Sequence, residues 1–171
     1  MLNEKRKGFT LIEILLVIVI LAALSATMVL SSRESTYFAK ANSIISTMTV
    51  VRDAALSYYT NNIENEPTPE NFYTNAQNYL GDKAARGQQW FLDMDGIRFT
   101  VEGRPDDNSS EIDSWYVECD FSVLDDVEEA GVADKLALID NDYARLRRLN
   151  DTEFVQYTSR DNNGHVWLKV K

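Results

Sequence analysis

The sequence predicts an α+β fold in which a long N-terminal α-helix packs on an antiparallel β-sheet head. Three observations carry this. Neither Gly nor Pro occurs between Phe9 and Glu66, so nothing in that stretch interrupts a helix. Its apolar residues form a continuous run at first and then fall into steps of three and four, the period of one helix face. From Trp90 onward the period drops to two, with turn dipeptides between the runs, as strands require. A chain of 171 residues leaves about 100 for the head once the helix is set aside, enough for a modest single core.

The first element opens at Gly8-Phe9-Thr10-Leu11-Ile12-Glu13 and continues as the apolar run Ile14 to Leu24, more loosely to Leu30. About 20 residues from Phe9 make a helix of roughly 30 Å, the thickness of a bilayer core. A polar leader with Lys5, Arg6 and Lys7 precedes it. Beyond residue 31 the helix becomes amphipathic. Tyr37, Ala41, Ile44, Met48, Val51, Ala55 and Tyr58 form one stripe, widened by Ile45 and Leu56, and that stripe is expected to be core. The helix is expected to run from Phe9 to about Asn61, on the order of 80 Å at ~1.5 Å per residue. Four segments follow: a leader at 1–8, a membrane or assembly half at 9–30, a head-packing half at 31–62, and the head at 63–171.

Glu66-Pro67-Thr68-Pro69 ends that helix, because the residue before a proline is pushed towards extended conformations. Thr68-Pro69-Glu70 then reads as a second helix start, with a capping hydroxyl, Pro in the first turn and a carboxylate beside it. Phe72, Ala76, Tyr79 and Leu80 would be its buried stripe, and Gly81 or Gly87 its end. Trp90 to Leu92, Ile97 to Val101 and Trp115 to Phe121 read as strands, the first two joined at Asp95-Gly96. Val123 to Ile139 has helical spacing through Leu124, Val127, Val132, Leu136 and Ile139, and Gly131 is a point where it would divide. Glu153 to Tyr157 and His165 to Val170 read as a closing hairpin turned at Asn163-Gly164. Four or five strands are expected in all.

The formal charge is −10, and a leader with three cations against Glu4 takes away +2, leaving −12 after its removal. Such a surface repels phosphate backbones, which argues against nucleic-acid binding. The basic leader favours a cytoplasmic N-terminus, with everything after about Leu30 on the far side of the membrane. Cys119, the only cysteine, cannot form an intramolecular disulfide and sits on the apolar face of its strand with Trp115, Val117 and Phe121.

A carboxylate in hydrocarbon costs on the order of 2 to 3 kcal/mol or more unless paired, so Glu13 requires a partner. Basic leader, Gly8-Phe9, Glu13 and apolar run together resemble the N-terminus of type IV pilins, the subunits of type IV pili, type II secretion pseudopili and competence pili. The resemblance covers about the first quarter of the chain. It implies cutting after Gly8 and N-methylation of Phe9 by a prepilin peptidase/methyltransferase. It implies an assembly role for Glu13, which neutralises the Phe9 ammonium of a neighbouring subunit. Partners implied are other pilin or pseudopilin subunits, the inner membrane and an assembly platform within it. The chain would span that membrane once, with the head periplasmic or extracellular until assembly into a pilus or pseudopilus.

Two plainer explanations of the apolar run exist, a secretory signal peptide cut near Ala23-Leu24-Ser25 and a simple single-pass anchor. Neither accounts for Glu13. The family often has a helix-kinking proline in the membrane half, whereas Ala22 to Leu30 has none, and many members staple the head with a disulfide. These departures favour a pseudopilin or minor pilin over a major pilus subunit. A membrane-anchored module that binds without polymerising is the alternative from another class.

In the head, Asp106, Asp107, Glu111 and Asp113 gather hard oxygen ligands in one loop, as a calcium site would, although their spacing follows no ordered template and a solvated acidic loop has the same composition. No further cofactor is expected. His165 stands alone, without the Ser, Cys or carboxylate spacing of a catalytic triad, and the chain is not expected to be an enzyme. Arg145, Arg147, Arg148 and Lys135 make the one basic patch, a helix end or a docking point for a neighbour's acidic surface.

Overall fold

Helix α1 runs Leu11–Asn61 without interruption, as the absence of Gly and Pro requires. The computed structural model describes residues 9–65, 67–81, 92–94, 96–104, 114–140, 145–150, 153–158 and 164–171. These fall into two compact units, divided between Thr36 and Tyr37. In the first, every large apolar side chain from Phe9 to Leu30 is exposed. In the second, Ala41, Ile44, Met48, Val51, Ala55 and Tyr58 are buried at the predicted steps of three and four. The stripe widens through Ala54 and not through Leu56, which is 40% exposed.

A short 3₁₀ turn, Ile63–Asn65, ends the helix before the prolines. Helix α2, Pro69–Leu80, begins where its sequence says it should. The Thr68 side chain accepts from Asn71 N at 3.2 Å, Pro69 fills the first turn, and Gly81 closes the end at a φ of 68°. Phe72 and Ala76 point inward, and the Tyr73 hydroxyl donates to Val101 O of the sheet.

Six strands form one antiparallel sheet: β1 Leu92–Met94, β2 Ile97–Arg104, β3 Ser114–Asp120, β4 Leu146–Asn150, β5 Glu153–Gln156 and β6 His165–Lys169. Their order is β1-β2-β3-β6-β4-β5. Register places Phe99 opposite Cys119 and Cys119 opposite Val166, with Val101, Val117 and Leu168 in a parallel row. Both rows are buried in one core with the α1 stripe. The other face carries Arg98, Asp120 and His165 in one row and Thr100, Glu118, Trp167 and Arg147 in the next.

Several expectations are corrected here. Among the described residues the sheet has six strands, because Leu146–Asn150 is strand β4 and not the end of a helix. Arg147 and Arg148 therefore lie on a strand, while Lys135 lies on helix α3, Asp126–Asp140. β5 and β6 are not hairpin partners, since β4 lies between them. Adjacent arginines blur the period-two signal of β4, and pairing between strands distant in sequence leaves no local mark. Val127 is 66% exposed and not part of the α3 core face, which is Val132, Ala133 and Leu136. The Asp125 carboxylate caps α3, accepting from Val127 N and Glu128 N at 3.1 and 2.9 Å. Gly131 does not divide α3; its bare Cα lies under the Tyr37 ring, and a Cβ there would come within 2.4 Å of Cδ2.

Candidate functional site

The N-terminal end of α1 is built around Phe9, Thr10 and Glu13. Thr10 is the N-cap, and Glu13 stands three positions on, where a capping box places its acid. The Glu13 Oε2 accepts from Thr10 N and from Thr10 Oγ1, both at 2.8 Å, and Glu13 N donates to Thr10 Oγ1 at 3.3 Å. The carboxylate is thus folded back along the helix towards the Phe9-Thr10 peptide and is not splayed outward. Two orphan N–H groups at the start of the helix are satisfied in the process, and the anion sits at the positive end of the helix dipole. Phe9 itself is exposed.

From Ile14 to Leu30 the side chains are apolar apart from Ser25 and Thr27, whose hydroxyls are turned inward to the backbone. Ser25 Oγ donates to Leu21 O and Thr27 Oγ1 to Leu24 O, each at 2.8 Å. Such bonds let a hydroxyl sit in hydrocarbon without an unpaired donor. The helix is long and apolar enough to cross a membrane, and none of its most hydropathic window is buried. An exposed apolar surface of that extent marks a face for lipid or for other apolar partners.

Of the residues picked out by sequence, Phe9 and Glu13 lie together at this end. Gly8 lies outside the described residues, as does the whole acidic loop with Asp106, Asp107, Glu111 and Asp113. Among the described residues, no three His, Cys, Asp or Glu side chains converge as metal ligands. Thr10 was not singled out, although the Thr-x-x-Glu spacing ahead of an apolar run carries the signal of a capping box. Cys119 is fully buried, and burial raises its thiol pKa well above the ordinary value, so it is neither exposed nor activated.

His165 is held on the outer sheet face. Its Nδ1 lies 2.8 Å from Glu118 Oε1, its Nε2 lies 3.8 Å from Asp120 Oδ1, and its ring stacks on Trp167. The Glu118 hydrogen bond raises the His165 pKa, opposed by partial burial and aided by Asp120. Trp167 Nε1 donates to Glu102 Oε1 at 2.7 Å, and Arg104 bonds both oxygens of Glu102. The hydrogen-bond partners Glu118, Glu102 and Arg104 all stand on the sheet, and Glu129 of α3 adds its negative charge at His165.

At the far end of the α1 stripe is a cavity of about 340 Å³. It is lined by Tyr59, Ile63, Pro67, Thr68, Pro69, Trp115 and Lys171, with the Lys171 ammonium 4.2 Å from the centre of the Tyr59 ring. Its lining residues are dispersed between Tyr59 and Lys171, and no local pattern marks it.

Residues 4–29 match the family model described as the prokaryotic N-terminal methylation motif, the signal motif of type IV pilins and pseudopilins. That motif implies processing by a prepilin peptidase and assembly with other pilin subunits. No curated protein and no solved structure matches the chain.

Proposed function

We propose that the chain is a subunit of a type IV pilin-like filament, cut after Gly8, N-methylated at Phe9 and assembled from the inner membrane. The observation that carries this is the Thr10-Glu13 box at the head of a fully exposed apolar helix, inside the methylation motif. Before assembly the helix is a single-pass anchor in the inner membrane, with the basic N-terminus cytoplasmic and the head on the far side. On assembly, α1 exchanges lipid for the α1 helices of neighbouring subunits. The exchange is between two equally apolar surroundings, so little hydrophobic energy opposes it.

Glu13 supplies the specificity. Cutting after Gly8 leaves an α-ammonium on Phe9, next in the chain to the peptide nitrogen that Glu13 already faces. A carboxylate turned to this end neutralises a cation at membrane depth, and pairing with the ammonium of an adjacent subunit sets the register between helices. The chain performs no catalysis in this role, and its modification is the work of the peptidase. The absence of proline from Ala22 to Leu30 and the single cysteine favour a pseudopilin or minor pilin.

Glu13→Ala should leave the protein in the membrane and cut its recovery in sheared or pelleted filaments at least tenfold. Filament recovery equal to that of the unaltered chain would sink the pairing mechanism. A mature N-terminal mass beginning at methylated Phe9 is expected from membranes containing the peptidase. A chain that is processed yet remains monodisperse, with no filaments by microscopy, would be a membrane-anchored binding module.

A further inference from the structure

The head carries, at its two ends, surfaces that match each other and cannot meet within one molecule. One is the cavity beside Tyr59, Ile63 and Trp115, aromatic and largely apolar with Thr68 on its wall, and with the Lys171 ammonium against it. The other is the turn into α3. There Val123 and Val127 are 60% and 66% exposed, with Asp125 and Asp126 exposed between them. Salt-bridge geometry fixes where this turn lies: Glu128 meets Lys40 of α1 at 2.6 Å. Lys40 and Tyr59 are 19 positions apart on one helix, which at ~1.5 Å per residue separates the two surfaces by about 28 Å.

We propose that the cavity receives the Val123–Val127 turn of a second copy of the chain, Val127 entering the apolar lining and Asp126 facing Lys171. This rests on the filament role proposed above. Val123 in the turn and Val127 in the first turn of α3 form an exposed valine pair with Asp125 and Asp126 between them. The cavity offers the opposite chemistry, apolar walls and a cation, within an otherwise acidic chain whose copies repel one another. A knob and a hole on different faces make a heterologous contact, which repeats head to tail and does not close into a dimer. A helical filament requires a contact of that kind. Charge pairing at the rim adds orientation, and burial of the valine side chain adds adhesion.

The test is disulfide trapping in the full-length chain, in cells that assemble it. Cys119 is buried and gives little background. Ile63→Cys with Val127→Cys in one chain should give, after mild oxidation, a ladder of dimers, trimers and higher multimers that collapses on reduction. Each single variant should give almost none. Pelleted assemblies that contain the double variant but yield no ladder would overturn the contact while leaving the filament role standing. Should the cysteine pair impair folding, charge exchange decides. Lys171→Glu and Asp126→Lys should each lower the pelleted fraction several-fold, and the two combined should restore it. Loss without restoration overturns the pairing. If the unaltered chain never pellets, the filament role fails, and the proposed contact fails with it.

Discussion

Tyr157 is buried among core residues, and its hydroxyl meets no hydrogen-bond partner among the described residues. Burial raises its pKa, so the phenol stays neutral at any ordinary pH. A buried hydroxyl without a partner is a cost that Phe avoids at nearly the same volume. Tyr157→Phe should therefore leave stability unchanged or raise it by up to about 1 kcal/mol in thermal unfolding. A loss larger than that would mean the hydroxyl is bonded. His165 behaves differently because its partners are present. Its pKa in the fold is raised from an ordinary value of 6.5, chiefly by Glu118, so the fold prefers the protonated ring. That stabilisation is complete below the unfolded value and fades as pH rises through the folded one. The melting temperature of the head should fall as pH increases from about 6.5 across the folded pKa. In His165→Gln that slope should vanish; an unchanged slope would assign it to other groups. The residues at the start of α1 were legible in sequence to differing degrees. Glu13 announced itself by being charged in an apolar run, whereas the use of Thr10 as its immediate partner is a matter of helix-end geometry.

Helices were more legible than strands. The α1 stripe and the α2 boundaries follow from spacing and capping chemistry, which are local, and both are as expected from Ala41 to Tyr58 and from Thr68 to Gly81. β4 was missed because Arg147 and Arg148 sit side by side in a five-residue strand whose place is set by β6 and β5. The chain reaches it through Asp140, whose buried carboxylate accepts from Arg145 N and Leu146 N at 2.9 and 3.0 Å. No periodicity encodes such a pair of hydrogen bonds. Gly131 in α3 is the clearest case of packing overriding propensity. Ala there would favour the helix by about 1 kcal/mol, but its Cβ would press into the Tyr37 ring, and overpacking of that kind costs about 1–3 kcal/mol. Gly131→Ala should thus lower stability. A gain in melting temperature would show that the Tyr37 ring moves aside freely.

At the scale of the molecule, the core from Ala41 to Val170 lies wholly within the unit that starts at Tyr37. A chain beginning at Tyr37 should fold cooperatively, remain soluble and show one thermal transition, since it forfeits no buried side chain. A molten or aggregated product would mean that residues before Tyr37 support the head. The sheet order has a different consequence, one for biogenesis. β6 follows the other five described strands in sequence yet lies in the middle, between β3 and β4. Until it arrives, β3 presents an unpaired edge that any other extended chain can join. If the head crosses a membrane as the proposed anchor requires, it is open to strand exchange until β6 joins β3 and β4 and the sheet closes.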